Sequence, residues 1–240
     1  MTQAYSKYTP EDRVVWQALY ERQITQIHAY ASKAYIGGMD YCGFSANEIP
    51  NIVHINERLI AITGWQIEIV PGLIDNASFF ELLRQKKFPA STWLRKMEQL
   101  DYLEEPDMFH DVLGHVPLLA TKDFCSFLEN LAKIASQHIH NDTIIEALSR
   151  VYWYTIEFGL IEETGILKIY GAGILSSSGE TYYSIHSHEP KRVPYNVVQI
   201  LNTPYIKDKF QEQYFVIGSY KQLFNSLSEL NGLIAAMANN

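Results

Sequence analysis

Glu105-Pro106-Asp107-Met108-Phe109-His110-Asp111-Val112-Leu113-Gly114-His115-Val116-Pro117 is the stretch on which the reading of this chain turns. Two histidines stand five residues apart in an apolar run, with Asp111 beside the first. Imidazole nitrogen binds zinc, copper, iron and nickel, so the pair can serve one metal ion. On a straight α-helix, five residues at about 100° each would leave the rings roughly 140° apart. Gly114 and Pro117 are helix-stop signals. The sequence therefore predicts His110 on a last helical turn and His115 just beyond it, swung back toward the same point. Two partly buried histidines satisfied by neighbours is the competing reading of the spacing alone.

A carboxylate supplies a third ligand. Arg150 to Leu160 (RVYWYTIEFGL) sets Glu157 in an otherwise apolar and aromatic run. Acidic side chains are almost never fully buried unless paired or metal-bound. Asn141 and Asp142 are good helix caps, so a helix is predicted from Asn141 to Glu163, with Glu157 well inside it. Taken alone, Glu157 could equally pair with an arginine. Together, His110, His115 and Glu157 match the two-His, one-carboxylate facial set that leaves positions open on a non-haem Fe(II) for dioxygen. Zinc with the same donors and a water is the rival metal, but the H-E-x-x-H of zinc peptidases is absent.

Length and composition narrow the class. At 240 residues, with 47% hydrophobic and 19% charged residues, the chain is expected to be one globular domain spanning 1–240. A formal charge of −8 and the lack of any large basic cluster argue against a nucleic-acid partner and favour a neutral or zwitterionic small substrate. Cys42 and Cys125 form no CxxC pair, which points to a reducing, cytoplasmic setting. Residues 1–10 lack the apolar core of a signal peptide. No apolar run reaches the ~18–20 residues of a membrane span, so no membrane partner is expected.

Helical periodicity dominates, and the fold class is mainly α with a few short β-strands. A long helix is predicted from Glu11 to Tyr35, capped by Thr9 with Pro10 in the first position. A shorter pair is predicted across Ala46 to Thr63, a strand across Gly64 to Val70, a turn at Pro71-Gly72-Leu73 and a helix from Asn76 to Lys86. Lys122 to Gln137 is another helix. Short strands are predicted at Ile166 to Tyr170 and Glu180 to His186, then a loop from Pro190 leading into a short helix that ends at Leu201. A strand at Tyr214 to Ile217 and a helix from Tyr220 to Ala236 complete the chain.

Several ordered blocks now carry a resemblance. They are Gly64-Trp65 with Val70-Pro71-Gly72-Leu73, Phe88-Pro89 with Arg95, Leu100 to Asp107, the His110-to-Leu119 block, Tyr152-Trp153 with Glu157 to Leu160, Tyr170 to Gly173 with Leu175-Ser176-Ser177, Thr203-Pro204-Tyr205 with Phe210-Gln211, and Tyr214-Phe215-Val216. Over roughly 16–214 the chain resembles the catalytic domain of the pterin-dependent aromatic amino acid hydroxylases, most of all the small bacterial phenylalanine 4-hydroxylases. The resemblance implies that fold, Fe(II) held by His110, His115 and Glu157, a tetrahydropterin (tetrahydrobiopterin or similar) as cofactor and O2 as co-substrate. It implies hydroxylation of an aromatic amino acid ring, phenylalanine to tyrosine first. Tryptophan, tyrosine or the 3-position of phenylalanine are the alternatives, with a zinc hydrolase or a non-catalytic metal-binding protein behind them.

The same resemblance assigns the rest of the site. Arg95 takes the substrate carboxylate, a role for which a permanently charged bidentate fork is suited, and Asp107 orients it. Trp153, Pro106 and His115 wall the substrate ring, and Ser176 and Glu180 lie near the amino-acid end. The pterin runs along Gly72, Leu73 and Phe79 with Asp111, Ser149 and Tyr152 opposite. Trp153 favours phenylalanine over the bulkier indole. Three departures stand out: Asp111 where the family usually has Glu, Ser178 where the animal enzymes have Phe, and Lys207 where an aliphatic residue is more common. An N-terminal regulatory domain and a tetramerising coiled coil are not expected, which implies a monomer or a weak dimer.

Overall fold

Thr9 opens the first helix as the sequence predicts. Its hydroxyl accepts the Asp12 N–H, the Asp12 carboxylate accepts the Thr9 N–H, and Pro10 begins α1 (Pro10–Tyr30). This reciprocal cap satisfies two orphan donors. The computed structural model describes residues 1–101, 103 and 105–239. The predicted single helix to Tyr35 is instead broken after Tyr30. Ala31 bridges to Ile169, the Ser32 N–H donates to the Ile169 carbonyl, and the Ser32 hydroxyl caps α2 (Lys33–Cys42). A serine that can start a helix has won over unbroken periodicity.

Between 46 and 63 only α3 (Ile52–Ile62) forms, capped by Asn51, in place of the predicted pair. β1 (Gln66–Ile69) pairs in parallel with β2 (Lys87–Ala90), and α4 (Asn76–Arg84) connects them. No element is predicted from the sequence at Lys87–Ala90; Pro89 is accommodated there because in a two-stranded sheet every strand is an edge, where proline is tolerated.

The expected helix from Asn141 to Glu163 divides into three. α6 (Asp142–Tyr152) passes into a π-helical turn, Trp153–Glu157, and the chain then turns into β3 (Leu160–Glu163). α5 (Lys122–Gln137) precedes it as predicted. β3 pairs antiparallel with β4 (Ile166–Ile169). Thr164 and Gly165 connect them with φ of 53° and 78°, the left-handed pair that a two-residue hairpin needs. β6 (Gln213–Ile217) lies parallel between β3 and β5 (Lys191–Pro194).

Two further expectations change. Glu180 to His186 is helical, within α8 (Ser178–His186), which Ser177 caps. Its buried residues, Glu180, Thr181 and Ser184, follow helical spacing and not alternation. Lys191 to Pro194, predicted as loop, is an edge strand. α7 (Ala172–Leu175), α9 (Val197–Leu201) and α10 (Tyr220–Ala238) complete the described elements. Among the described residues no helix is long and apolar enough to cross a membrane.

Candidate metal centre and substrate cavity

His110 and His115 lie on a π-helical segment, Phe109–His115, followed by a 3-10 turn, Val116–Ala120. The expected helix stop at Gly114 is not how the two rings meet. In a π-helix the hydrogen bonds run from i to i+5, so residues five apart share one face. Gly114 serves packing instead. A Cβ there would come 3.1 Å from the Ala172 carbonyl oxygen, where α7 presses on the segment. Tyr35 of α2 donates its hydroxyl to the Leu113 carbonyl from the other side.

Glu157 comes from the second π-helical turn. The His115 Nε2 lies 3.2 Å from Glu157 Oε1, and the His110 Nε2 lies 3.6 Å from Oε2. The two Nε2 atoms are 3.2 Å apart, and among the described residues these three side chains form the one group able to hold a metal, with all donor atoms within 4.8 Å. Burial drives the His110 pKa down to about 4, leaving a neutral ring with a lone pair to give. Burial works to raise the Glu157 carboxyl, but the His115 and His110 rings and the Gly173 N–H outweigh it, and the net shift is downward.

Ser176 bears on the same point. Its hydroxyl donates to the Ala172 carbonyl at 2.8 Å and lies 2.9 Å from His110 Nδ1. With its proton so committed, the hydroxyl accepts from an Nδ1–H, which frees Nε2 to face the other ligands. The resemblance places Ser176 beside the amino acid; the geometry also ties it to a ligand ring. Two imidazole nitrogens and a carboxylate converging at one point fit a divalent iron.

That cavity has a volume of about 490 Å³ and is lined by His110, Glu157, Arg95, Pro106, Trp153, Ser176 and Glu180. Leu73 and Lys207 also line it, whereas His115 does not. Behind Arg95, the fully buried Asp107 (0% exposed) grips the guanidinium by two bonds of 2.9 Å, from Nε and Nη2, and also accepts the Arg95 backbone N–H at 3.0 Å. Nη1 is not used in that grip. Glu180 is buried, accepts the Gln211 N–H and the Tyr214 hydroxyl at Oε1, and is pushed by burial up to about 7. Trp153 stacks on Tyr205 with centroids 4.7 Å apart, and the Lys207 ammonium sits 5.6 Å over that same tyrosine ring.

The other candidate residues gather elsewhere around the histidines. Tyr152 packs edge-on against Phe79 at 5.3 Å and lies 6.5 Å from the His115 ring. Asp111 accepts the Ser91 N–H at 2.7 Å, and burial raises its carboxyl to about 7. A Cβ on Gly72 would stand 2.7 Å from Glu105 Oε1, and the neighbouring Leu73 is 74% exposed. Ser149 lies one turn before Tyr152 on α6. Ser178 begins α8, and its carbonyl accepts a Gln26 side-chain N–H. Sequence reasoning missed Ser91 and gave Gln211 no role; only the Phe210-Gln211 pair in the resemblance touched the latter.

Residues 3–236 match the family described as biopterin-dependent aromatic amino acid hydroxylase. The chain belongs to that family. Among its relatives, the phenylalanine-4-hydroxylase of Chromobacterium violaceum is 42% identical over 228 residues, covering 94% of this chain and 76% of its own length. That of Vibrio cholerae is 40% identical, covering 93% of this chain and 80% of its own. The crystal structure of the Chromobacterium violaceum enzyme with iron(III) and 7,8-dihydrobiopterin superposes with a TM-score of 0.93 at 42% identity, covering 98% of this chain and 86% of that one. The hydroxylase fold expected from the sequence is therefore the fold observed.

Proposed function

We infer that the chain is a non-haem Fe(II), tetrahydropterin-dependent monooxygenase that hydroxylates phenylalanine to tyrosine with O2. One observation carries the reading: a two-His, one-carboxylate centre opens into a cavity whose wall holds a buried, carboxylate-braced arginine. Relatives named phenylalanine-4-hydroxylase, and one solved with iron and phenylalanine bound at a TM-score of 0.90 and 40% identity, support it.

His110, His115 and Glu157 would hold the iron. Bound iron and reduced pterin supply the activation of dioxygen and the delivery of one oxygen atom to the ring. The residues of the chain bind, orient and exclude water. Arg95 receives the substrate carboxylate through the guanidinium edge that Asp107 leaves unused. Glu180 and Ser176 stand at the amino end, and Trp153 and Pro106 flank the ring. Gly72, Leu73, Phe79, Asp111, Ser149 and Tyr152 form the pterin side. Tyr152 and Phe79 offer ring faces for stacking, and Gly72 lets the backbone approach closely.

The enzyme is placed in the cytoplasm, a reading supported by two buried, unpaired cysteines, Cys42 and Cys125. A single catalytic unit over 1–240, monomeric or weakly dimeric, is the companion reading, measured by light scattering. The deciding assay supplies Fe(II), a tetrahydropterin and O2 with phenylalanine, tyrosine or tryptophan in turn, and resolves the products by chromatography. Tyrosine formed from phenylalanine at the highest kcat/KM of the three is the expected result. Phenylalanine left unconsumed while another ring is hydroxylated would reassign the substrate.

A further inference from the structure

Gln211 is 2% exposed and stands just before β6, outside the metal centre. Its side-chain carbonyl accepts the Trp153 indole N–H at 2.9 Å. Its amide donates to the Ile206 carbonyl at 2.7 Å and to the Lys209 carbonyl at 3.4 Å. Its backbone N–H donates to Glu180 Oε1 at 3.1 Å. One residue thus joins the ring wall, the 206–209 loop and the buried carboxyl at the amino-acid end of the cavity.

The Trp153 indole packs against Tyr205 at 4.7 Å and 26° and against Phe158 at 4.6 Å and 35°. Aromatic packing of this kind fixes a plane but constrains rotation within that plane weakly. A hydrogen bond from the ring nitrogen is directional and supplies the missing constraint. Trp153 lines the cavity with Glu157, so its in-plane rotation decides which indole edge a bound ring meets.

We propose that Gln211 is a positioning residue for ring hydroxylation: by fixing the rotation of Trp153 relative to Glu180, it sets which ring carbon faces the metal. The inference rests on the hydroxylase reading above. Glu180 gives the amino end of the substrate a fixed reference, and the indole gives the ring one. Gln211 is bonded to both, so the two references cannot drift apart independently.

Three proteins test it: wild type, Gln211→Met and Gln211→Glu. Methionine keeps the length and removes every side-chain bond. Glutamate keeps an acceptor for the indole N–H and loses the two donors to the loop. Two readouts are taken: hydrogen exchange of the Trp153 indole N–H by NMR, assigned with Trp153→Phe, and the ratio of 4- to 3-hydroxylated product from phenylalanine. In Gln211→Met the indole N–H is expected to exchange at least tenfold faster. Its kcat/KM is expected to fall roughly tenfold, as for a buried donor left unpaired, with a larger share of 3-hydroxylation and unchanged iron content. Gln211→Glu is expected to keep both indole protection and product position. A Gln211→Met enzyme that slows yet keeps the wild-type product ratio overturns the proposal, as does a Gln211→Glu enzyme that loses it. If Gln211→Met does not fold, Gln211→Glu decides by the same criterion. A wild type that yields no hydroxylated amino acid counts against the hydroxylase reading, and the exchange data then judge the Gln211 bond by itself.

Discussion

Oδ1 of Asp107 accepts the backbone N–H of His110 at 3.2 Å and, at the same time, an Arg95 Nη2–H at 2.9 Å. The candidate substrate anchor and a candidate metal ligand therefore lean on one buried oxygen. Conservative changes at the two ends should separate. Arg95→Lys replaces a bidentate fork with a point charge and should raise the KM for phenylalanine a hundredfold or more, the scale of several kcal/mol for a lost buried charge contact, with iron content unchanged. Asp107→Asn should disturb both KM and iron retention. Steady-state kinetics beside metal analysis checks the pair; a KM within about twofold of wild type in Arg95→Lys would remove Arg95 as the anchor.

The ligand set has a direct test. His110→Ala, His115→Ala and Glu157→Ala should each lose iron and turnover while circular dichroism keeps its helical signal. A variant with stoichiometric iron and a near wild-type rate would strike that residue from the set.

Ser176→Ala should be milder. It removes the acceptor for His110 Nδ1–H without touching a donor to the metal, and such a loss typically costs 10–100-fold in metal affinity. Competition with a chelator measures it. Affinity equal to wild type would make the Ser176 contact incidental.

Glu180 gives the fold a pH dependence of definite sign. Burial raises its folded pKa from 4.5 to about 7, so folding disfavours its ionised form. Its contribution is most favourable below pH 4.5 and is lost as pH rises through about 7, by roughly 3 kcal/mol. Glu180→Gln imitates the protonated carboxyl, so its stability relative to wild type should grow across that window. Urea unfolding at pH 5 and pH 8 checks this; an equal difference at both values would contradict it.

Trp153→Ile should shift the kcat/KM ratio from phenylalanine toward tryptophan, by about ten- to two-hundredfold at most for apolar volume of this size. Lys207→Ile, assayed in parallel, isolates the ammonium over Tyr205. If neither changes the ranking among phenylalanine, tyrosine and tryptophan, ring preference is set elsewhere.

The sequence made the chemistry more legible than the path of the backbone. Thr9 and Asn141 announce helix starts by residue type, and the structure uses each as a cap. His110, His115 and Glu157 could be singled out because imidazole and a carboxylate among apolar neighbours need a reason to be there. Hydrophobic runs are a poorer guide where periodicity changes inside one run. Trp153 to Glu163 reads as a single helix, yet it holds a π-helical turn and a strand, because pairing with β4 and β6 stabilises the extended form. Ser91, Gln211 and the second role of Ser176 depend on contacts between segments distant in the chain, and no local pattern encodes those.

All three donors of the candidate metal centre come from the two π-helical turns, Phe109–His115 and Trp153–Glu157. Such a turn is an α-helix carrying one residue more than its neighbours, so the centre is counted out in residues as much as built from side chains. Removing one residue from either turn would restore ordinary helical winding and rotate everything beyond it by about 100°. Substitution can vary the lining of this cavity by degrees. Single-residue deletion in either turn cannot, and in lineages that keep the iron both intervals, from His110 to His115 and from Trp153 to Glu157, should be frozen in length even where the letters between them change.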